Sequence, residues 1–463
     1  MSILWNSSLL KELVDAQSTK EWQASGVEID SRKIKKGDLF CALNGANHNG
    51  HDYINSAAKK GAIACLISEN LKNNNKIAFA KVDNVLDALD KMAKDVRKRS
   101  HAKFIAVTGS VGKTGTKDMI QLALSKIANT YSNESSYNNY LGVPLSLARL
   151  PENTKYCILE LGMNKKGEIR DLSRLVMPEV AILTAIEEAH LGGLKSLKNI
   201  ADAKSEILEN LDVNGCLIIN IDTNFSKYII KKAKKLGIKN IITYGKSKSS
   251  NVRLVSHSLN ENKYFVQAQC FGIKLSWFMP AVGEHWIYNS LSILALSSYL
   301  KINIKKILKG LFFFKVPSGR GNNIYLKYKN QSFLIIDDSY NSNPASLIAS
   351  LINFSKLKNA GRKILVLGDM MELGENSTQI HKDFGVKIKN FGFNILFTVG
   401  KNMHELYKVT KNIENRYHDD NLNNISKKIL KDLEDGDAIL FKGSNSINLK
   451  KVIHNIKKEC EEI

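Results

Sequence analysis

The 463-residue sequence lacks the features that mark membrane, secreted and repeat proteins. No apolar stretch approaches the length that is needed to cross a bilayer. The segment from Met1 to Leu13 does not combine a basic region with an apolar core, so no secretion signal is predicted. Internal repeats and low-complexity tracts are absent as well. We therefore expect a globular protein without a membrane span, located in the cytoplasm.

The cysteine patterns of zinc sites and disulfide frameworks are also missing. No two cysteines have the Cys-x-x-Cys spacing, and most of them lie in apolar runs. Buried free thiols in a reducing compartment are therefore expected, rather than disulfides or a zinc site. The six residues are Cys41, Cys65, Cys157, Cys216, Cys270 and Cys460.

Acidic residues are scarce relative to basic ones, with 45 Asp and Glu against 67 Lys and Arg, which gives a formal charge of +22. An excess of this size can indicate nucleic-acid binding. The lysines lie along helical segments such as 231–235 and 427–431, without the interleaved aromatic residues on which bases stack. We favour a basic surface that attracts small anionic substrates, and we expect no nucleic-acid partner.

The most informative motif follows an apolar run at residues 104–107. Gly109 and Gly112 let the backbone turn so that successive N–H groups face one centre. Lys113 can then neutralise the β- and γ-phosphates of a nucleotide, and the Thr114 hydroxyl can bind Mg²⁺. Apolar residues after the loop recur at helical spacing, so the loop opens a helix whose N-terminus also attracts anions. An ordinary strand–turn–helix is the alternative. We predict that ATP binds at Gly109, Ser110, Val111, Gly112, Lys113, Thr114 and Gly115.

Length and pattern predict three α/β domains. They are a small α/β N-terminal domain at 1–100, a central P-loop domain with a parallel sheet at 101–315, and a C-terminal Rossmann-like domain at 316–463. The basic stretch 94–103 is predicted to be a linker. Apolar strands alternate with helical patterns, which favours βαβ units with helices on both faces of the sheets. The predicted strands are 38–43, 62–66, 76–82, 104–107, 156–161, 180–186, 216–221, 240–244, 333–336, 363–367, 394–399 and 438–441.

Ligands of such sheets bind at the carboxyl ends of the strands. Glu160 ends one strand and could hold Mg²⁺ opposite Thr114, because Mg²⁺ prefers oxygen ligands. On their own, His190 is more typical of a solvated loop and Lys204 of an exposed helix position. Asn138 and Asn139 lie in a turn-rich stretch that is either a plain loop or a substrate contact.

The last third of the chain has two polar strand ends. One is the segment 337–344, which contains adjacent acids, serines and asparagines before a helix that starts near Asn343 and Pro344. The other is the segment 368–374, which includes Asp369 and Glu372. Together they predict one wall of a site that faces the ATP across a cleft.

These motifs resemble the Mur ligase family in their order and spacing. The likeness rests on 108–114, Glu160, His190, Lys204, the His285/Asn289 pair, Gly319-Arg320 and 338–344. Within the family, the likeness to one particular ligase rests on segments 137–144, 162–164, 167–169 and 368–374. Segments 29–32, 37–40 and 50–51 are similar to a first domain that binds a nucleotide sugar. The resemblance covers essentially the whole chain.

The resemblance implies an ATP-dependent amide ligase of peptidoglycan precursor synthesis. The terminal carboxylate of UDP-N-acetylmuramoyl-tripeptide would attack the γ-phosphate of ATP, and the amine of D-alanyl-D-alanine would then attack the acyl phosphate. Lys113 and two Mg²⁺ ions would stabilise the transferred phosphoryl group. Thr114 and Glu160 would bind one ion and His190 the other, with a carbamate on Lys204 helping to place the second. A monomer is expected.

The same resemblance assigns the remaining contacts. Asn289, Arg320 and Asp338 match the positions that contact adenine, phosphate and ribose. Ser31, Arg32, Asn138 and Asn139 would lie on the UDP-sugar side. The chain departs from the usual pattern at four positions. Gly115 replaces a serine or threonine, Ala185 and Trp286 replace asparagines, and Ser342 replaces an alanine.

Three other functions stay open on the sequence. The chain could be a different Mur-type ligase, such as the enzyme that adds the third peptide residue, or a folyl-polyglutamate synthase. A P-loop ATPase with a basic surface that binds nucleic acid is the alternative of another class. The sequence does not specify the third residue of the tripeptide, nor whether Lys204 is carbamylated.

Overall fold

The protein is described by a computed structural model, which covers residues 3–45, 48–71, 77–134, 137–187, 194, 196–260, 263–281, 283–357 and 360–463. These residues form three large sheets and a two-stranded ribbon. Each large sheet falls within one of the three segments that the sequence predicts as domains. The α/β fold class is therefore confirmed, while the domain boundaries stay a prediction.

Residues before 100 form a five-stranded sheet with helices beside it. In chain order the elements are β1 Trp5–Asn6, α1 Ser7–Val14, β2 Gln17–Ser18, β3 Gln23–Ala24, β4 Gly26–Glu28, β5 Asp38–Cys41, a 3₁₀ turn Gly50–Tyr53, α2 Ile54–Lys59, β6 Ala64–Ile67, β7 Ala78–Lys81 and α3 Val85–Arg99. The strand order is β2-β7-β6-β5-β4, with β4 to β7 parallel. Strands β1 and β3 pair separately as the ribbon.

The predicted linker at 94–103 is wrong over its first half. Helix α3 continues to Arg99, because apolar residues along one face, from Val85 to Val96, are buried. Its basic residues lie on the opposite face or contact residues of the middle part of the chain. Arg97 stacks on Phe104 at 4.1 Å and donates to the Val176 carbonyl at 2.6 Å. The basic run is therefore the polar part of an amphipathic helix.

The middle of the chain forms a nine-stranded sheet. Its elements are β8 Lys103–Thr108, α4 Lys113–Ser125, β9 Thr130–Ser132, α5 Gly142–Ala148, β10 Tyr156–Glu160, α6 Glu168–Val176, β11 Val180–Leu183, α7 Leu197–Lys204, a 3₁₀ segment Ser205–Asn210, β12 Cys216–Asn220, α8 Ser226–Lys235, β13 Asn240–Gly245, β14 Val252–Asn260, β15 Lys263–Cys270, β16 Ile273–Met279, α9 Glu284–Tyr299 and α10 Ile304–Leu311. The order is β16-β15-β14-β13-β12-β11-β8-β10-β9. Strand β8 therefore lies between β10 and β11, where ligands of such sheets bind.

Three strands at the edge of this sheet, paired as antiparallel hairpins, were not predicted. Strands β14, β15 and β16 pair antiparallel across Val252 to Met279, whereas the other neighbours in the sheet are parallel. Alternation of buried and exposed residues along β15 gives the period of two that a half-buried strand requires. Because strands and helices are expected to alternate in this region, the period-two pattern is missed.

The last part of the chain forms a seven-stranded sheet in the order β21-β20-β19-β22-β18-β17-β23. Strands β18 to β22 are parallel, and β17 and β23 are added antiparallel at one edge. The elements are β17 Asn322–Tyr328, β18 Gln331–Asp338, α11 Pro344–Ser355, β19 Lys363–Gly368, a 3₁₀ turn Gly374–Asn376, α12 Ser377–Ile388, a 3₁₀ turn Lys389–Phe391, β20 Ile395–Val399, α13 Lys401–Val409, β21 Asn415–His418, α14 Leu422–Asp432, β22 Ala438–Lys442, a 3₁₀ turn Asn445–Ile447, α15 Leu449–Lys458 and β23 Glu461–Glu462.

The cysteine prediction is confirmed. All six cysteines are free, and all but Cys460 are buried. Burial raises the pKa of the Cys65 and Cys216 thiols to about 12, so these thiols are protonated and unreactive. Across the described ranges, no helix is both long and apolar enough to cross a membrane.

Candidate active site

The glycine-spaced loop lies between β8 and α4, at the carboxyl edge of the nine-stranded sheet, where β8 is the third strand from the β9 end. Gly112 has a φ of 84°, in the left-handed region that favours glycine. Thr184, just after β11, donates its hydroxyl to the Val111 carbonyl at 2.6 Å. This hydrogen bond attaches the loop to the end of the neighbouring strand. The amides of the loop and the start of α4 therefore face the same edge of the sheet.

Lys113 curls back over this loop. Its ammonium donates to the Gly109 carbonyl at 2.8 Å and to the Ser110 carbonyl at 3.4 Å. Burial lowers the pKa of Lys113, and the nearby Glu160 carboxylate opposes that shift. A cation held on the rim of a ring of amides is suited to bind a polyphosphate.

Glu160 is the buried carboxylate of the site. Its two oxygens accept from the Thr114 hydroxyl at 2.7 Å and from the Asn138 amide at 2.8 Å. Burial alone would raise its pKa, but Lys113 and the hydrogen bonds from Thr114 and Asn138 hold the pKa of Glu160 below its ordinary value. The group is an ionised carboxylate that these hydrogen bonds fix beside the glycine-spaced loop. The structure places Glu160 at a strand end opposite Thr114 with Asn138 hydrogen-bonded to it, and its role as a magnesium ligand stays a prediction.

Asn133, which the sequence did not single out, holds the backbone of Glu160 in place. Asn133 accepts from the Glu160 backbone N–H at 2.9 Å and donates to the Glu160 carbonyl at 3.1 Å and to the Tyr137 carbonyl at 2.7 Å. Its own carbonyl accepts from the buried Lys117 at 2.6 Å. An isolated asparagine after a short edge strand gave no signal, because its partners are distant in sequence.

Lys204 departs most from the expectation based on the residue alone. It lies at the end of α7, as predicted, but its side chain is fully buried rather than exposed. Its ammonium nitrogen has no hydrogen-bond partner among the described residues. Burial, followed by the charge of Lys113, pushes the pKa of Lys204 well below its ordinary value. A buried amine of this kind loses its proton more readily than an ordinary lysine, and the deprotonated form is the nucleophilic one.

Residues from the last region reach the loop. Arg320 donates to the Thr114 hydroxyl at 2.8 Å, and its guanidinium stacks on the Tyr340 ring at 4.1 Å. Asp338, at the end of β18, pairs with the buried Lys442 at 2.8 Å and accepts from Ser350 at 2.6 Å. Arg320 therefore connects the two sides of the predicted cleft.

Helix α9 covers the other side of the loop. Asn289 is buried, and the nitrogen of its side-chain amide has no partner among the described residues. The exposed His285 lies on the same helix and interacts electrostatically with Asp338. The predicted ligand His190 lies outside the described residues.

The residues predicted for a nucleotide sugar meet at the contact between the first and middle regions. Arg32 is exposed and paired with Asp30, whose pKa it lowers to about 2 through a hydrogen bond, while Ser31 is buried. Close by, Lys33 donates to the Tyr137 hydroxyl at 3.0 Å. Asn139 accepts from the Leu141 and Gly142 amides and so stabilises the turn that leads into α5. The structure brings these segments together; a sugar contact by these residues stays a prediction.

Three family models match consecutive parts of the chain. The Mur ligase middle domain matches residues 107–297, and the glutamate ligase domain of Mur ligases matches residues 324–445. The catalytic-domain model of the Mur ligase family matches residues 23–97. The chain belongs to the Mur ligase family.

Individual Mur ligases are similar over nearly the full length. A UDP-N-acetylmuramoyl-tripeptide–D-alanyl-D-alanine ligase of Rickettsia prowazekii is 34% identical over 455 residues, which is 97% of this chain and 99% of the relative. The protein of the same name from Bacillus subtilis is 32% identical over 438 residues, 93% of each chain. A crystal structure of MurF from Acinetobacter baumannii has a TM-score of 0.83 and 26% identity, and covers 98% of this chain and 99% of its own.

Proposed function

We propose that this Mur ligase joins D-alanyl-D-alanine to UDP-N-acetylmuramoyl-tripeptide in an ATP-dependent step of peptidoglycan precursor synthesis. The substrate assignment is supported by relatives of that name which are 34% and 32% identical over almost the whole chain. The segments that narrow the resemblance, such as 137–144 and 368–374, lie at the loop beside Glu160 and at the end of β19.

One observation carries the chemistry. An ionised buried carboxylate, Glu160, is held by neutral donors directly beside a phosphate-binding loop, with Arg320 reaching in from the last region. The charges of Lys113 and Arg320 keep this carboxylate ionised, and its fixed oxygens beside the Thr114 hydroxyl are ligands of the kind that a cation arriving with the nucleotide would bind. No group of three or more His, Cys, Asp or Glu side chains forms a metal site in the described ranges.

These donors fit Mg²⁺, which prefers oxygen ligands and usually keeps water and phosphate oxygens in its shell. Thr114 and Glu160 would hold the ion, and we assign His190 to a second one. Bound magnesium neutralises charge on the phosphates during phosphoryl transfer. Lys113 and the amides of residues 109–115 orient the phosphates, while Arg320 adds charge from the opposite side.

The reaction balances in two steps. An oxygen of the terminal substrate carboxylate attacks the γ-phosphorus of ATP, the bond to ADP breaks, and an acyl phosphate forms. The amine nitrogen of D-alanyl-D-alanine then attacks the acyl carbon and loses a proton, and phosphate leaves. Because little covalent help is needed, positioning and charge neutralisation by the named residues supply most of the catalysis.

Lys204 fits a carbamate for reasons of its own environment. Its amine is buried, unpartnered among the described residues and depressed in pKa, and it interacts electrostatically with both Lys113 and Glu160. Carbamylation would convert this unpartnered amine into an anion beside the Lys113 cation. Asn289 and Asp338 are assigned to adenine and ribose, and Ser31, Arg32, Asn138 and Asn139 to the UDP-sugar.

The test is a reconstituted reaction with ATP, Mg²⁺ and UDP-N-acetylmuramoyl-tripeptide, followed by phosphate release and by mass spectrometry of the product. We expect release that depends on D-alanyl-D-alanine, with a product heavier than the tripeptide substrate by that dipeptide less water. Release that needs no amine acceptor, or that DNA or RNA stimulates, would support an ATPase instead. Addition of an amino acid to UDP-N-acetylmuramoyl-dipeptide, or of glutamate to a folate, would reassign the chain within its group.

The remaining assignments follow from the substrates. ATP and UDP-linked precursors are cytoplasmic metabolites, so we place the enzyme in the cytoplasm. We propose that it acts as a monomer, because each residue assigned to the site comes from the same chain. Sedimentation of the protein with and without nucleotide tests that state.

A further inference from the structure

Gly115 and Trp286 form a contact that explains two unusual residues at once. Gly115 lies in the first turn of α4, and the Trp286 side chain on α9 is buried against it. A Cβ atom at position 115 would lie 2.9 Å from Cη2 of Trp286 and closer still to its Cζ3. Real Cβ atoms do not approach ring carbons so closely, so the indole has room only because residue 115 is glycine.

Backbone conformation gives no other reason for glycine here. Gly115 is absent from the glycines with positive φ, which include Gly109 and Gly112 in the same loop. Glycine is a poor helix former, and alanine would stabilise the turn if space allowed. The sequence therefore gives up helix propensity at the start of α4 to accommodate a large ring.

The indole occupies a defined place between the loop and the domain cleft. One neighbour is the exposed His285 ring at 4.6 Å, and another is the Phe314 ring at 5.0 Å. The Asn289 amide, one turn along α9, lies 3.3 Å from where the Cβ of residue 115 would be. Trp286 Nε1 has no hydrogen-bond partner among the described residues, so the ring acts there through its shape.

We infer that Trp286 is a positioning residue for nucleotide binding and that Gly115 is its steric complement. The ring holds the first turn of α4 against α9, and that turn carries amides which bind the phosphates. It also supports the His285 ring at the edge of the cleft. The inference rests on the proposed function for the identity of the nucleotide, but the steric pairing does not.

The experiment compares Gly115→Ala and Gly115→Ser in the wild-type background and in a Trp286→Ala background. Titration calorimetry measures the Kd of a non-hydrolysable ATP analogue with Mg²⁺, and thermal unfolding is followed without nucleotide. In the wild-type background we expect both substitutions to weaken binding at least about tenfold and to lower the unfolding midpoint. With Trp286→Ala, the same substitutions should change the Kd less than about twofold, and Gly115→Ala should raise the midpoint.

Trp277→Ala is the matched control, because Trp277 is also buried with an unpartnered Nε1 but lies on β16, away from the loop. It should lower the unfolding midpoint and leave the Kd unchanged. Equal effects of the Gly115 substitutions in both backgrounds would overturn the steric pairing, and an unchanged Kd in Gly115→Ser would overturn the positioning role. The ligase assignment fails separately, if the wild type binds the analogue but does not require D-alanyl-D-alanine.

Discussion

Two sheet edges supply polar residues to the cleft, and they differ in how their charges are satisfied. At the edge of the nine-stranded sheet, the Lys204 amine has no hydrogen-bond partner among the described residues, whereas Glu160 accepts from the neutral Thr114 and Asn138 side chains and is stabilised by the nearby charge of Lys113. At the edge of the seven-stranded sheet, Asp338 pairs with Lys442. Asp369 accepts from the backbone amides of Asn402 and Met403, at the start of α13.

The two sheet edges therefore use the same residue types in two ways, one that stabilises the fold and one that prepares a binding site. A charge that the fold already neutralises stabilises the fold, as Asp369 does by capping a helix. A buried ionisable group that the fold leaves unbalanced costs free energy, and such groups cluster where a ligand supplies the missing charge. The segments 337–344 and 368–374 look alike in sequence, as acidic strand ends. Much of their negative charge is nevertheless neutralised by partners within the last region.

The largest expected effect is at Lys113. Lys113→Ala should lower kcat at least about 100-fold, because the charge beside the transferred phosphoryl group is lost. The unfolding midpoint should change less than kcat does, since among the described residues the Lys113 ammonium donates hydrogen bonds only to two loop carbonyls and otherwise acts on Glu160 through its charge. Phosphate release and thermal unfolding measure the two quantities. Lys126→Ala, an exposed residue just after α4, is the control and should behave as wild type. Near-normal kcat in Lys113→Ala would contradict the assigned role.

Lys204→Met should separate activity from stability. Turnover should fall at least about tenfold, while the free energy of unfolding in CO₂-free buffer should rise, because an unbalanced buried amine is removed. The folded-state pKa of Lys204 lies below its unfolded value of about 10.4, so the unfolded state binds more protons between these values. Wild-type stability should therefore gain with rising pH across that window relative to the variant, by about 1.4 kcal/mol for each unit of pKa depression.

The control for this variant is Lys198→Met, an exposed lysine on the same helix. It should show neither the loss of turnover nor the pH-dependent difference. A Lys204→Met protein that is less stable than wild type at every pH would show that the amine has a partner that stabilises the fold.

The Asp338–Lys442 pair should behave in the opposite way. Asp338→Asn should destabilise the fold by about 3 kcal/mol, because it leaves the buried Lys442 without its counter-ion. The double variant Asp338→Asn/Lys442→Met should recover most of that loss, as expected for a buried ion pair. Chemical denaturation measures both. Additive losses in the double variant would mean that the two residues do not stabilise the fold as a pair.

The smallest effect is expected at Asp369. Asp369→Ala should cost about 1 kcal/mol, which is typical of a lost helix cap, and should leave kcat/KM within about twofold of wild type. Asp383→Ala, on the surface of α12, controls for the loss of a carboxylate. A large loss of activity without a loss of stability would move Asp369 from the fold into the site, and would weaken the contrast between the two edges.

Sequence reasoning succeeded where the signal is local. The strand, glycines and Lys-Thr pair before α4 form one contiguous unit, and the position of Glu160 follows from a strand end. It failed where partners are remote. The end of helix α3, from residue 94 to Arg99, reads as part of a linker because basic residues outnumber the apolar ones there. Asn133 gives no signal because its role depends on Glu160, 27 residues away.

Motif spacing and hydrophobic period are local properties of the chain, and the family, the order of the three sheets and the residues that could bind phosphate can therefore be read from the sequence. Which buried ionisable groups lack a partner depends on how the chain packs. Lysine burial, the Thr114–Arg320 bond and the fit of Trp286 over Gly115 all depend on segments that are distant along the chain. Burial sets the free energy of a charge, and burial arises only when those segments pack together.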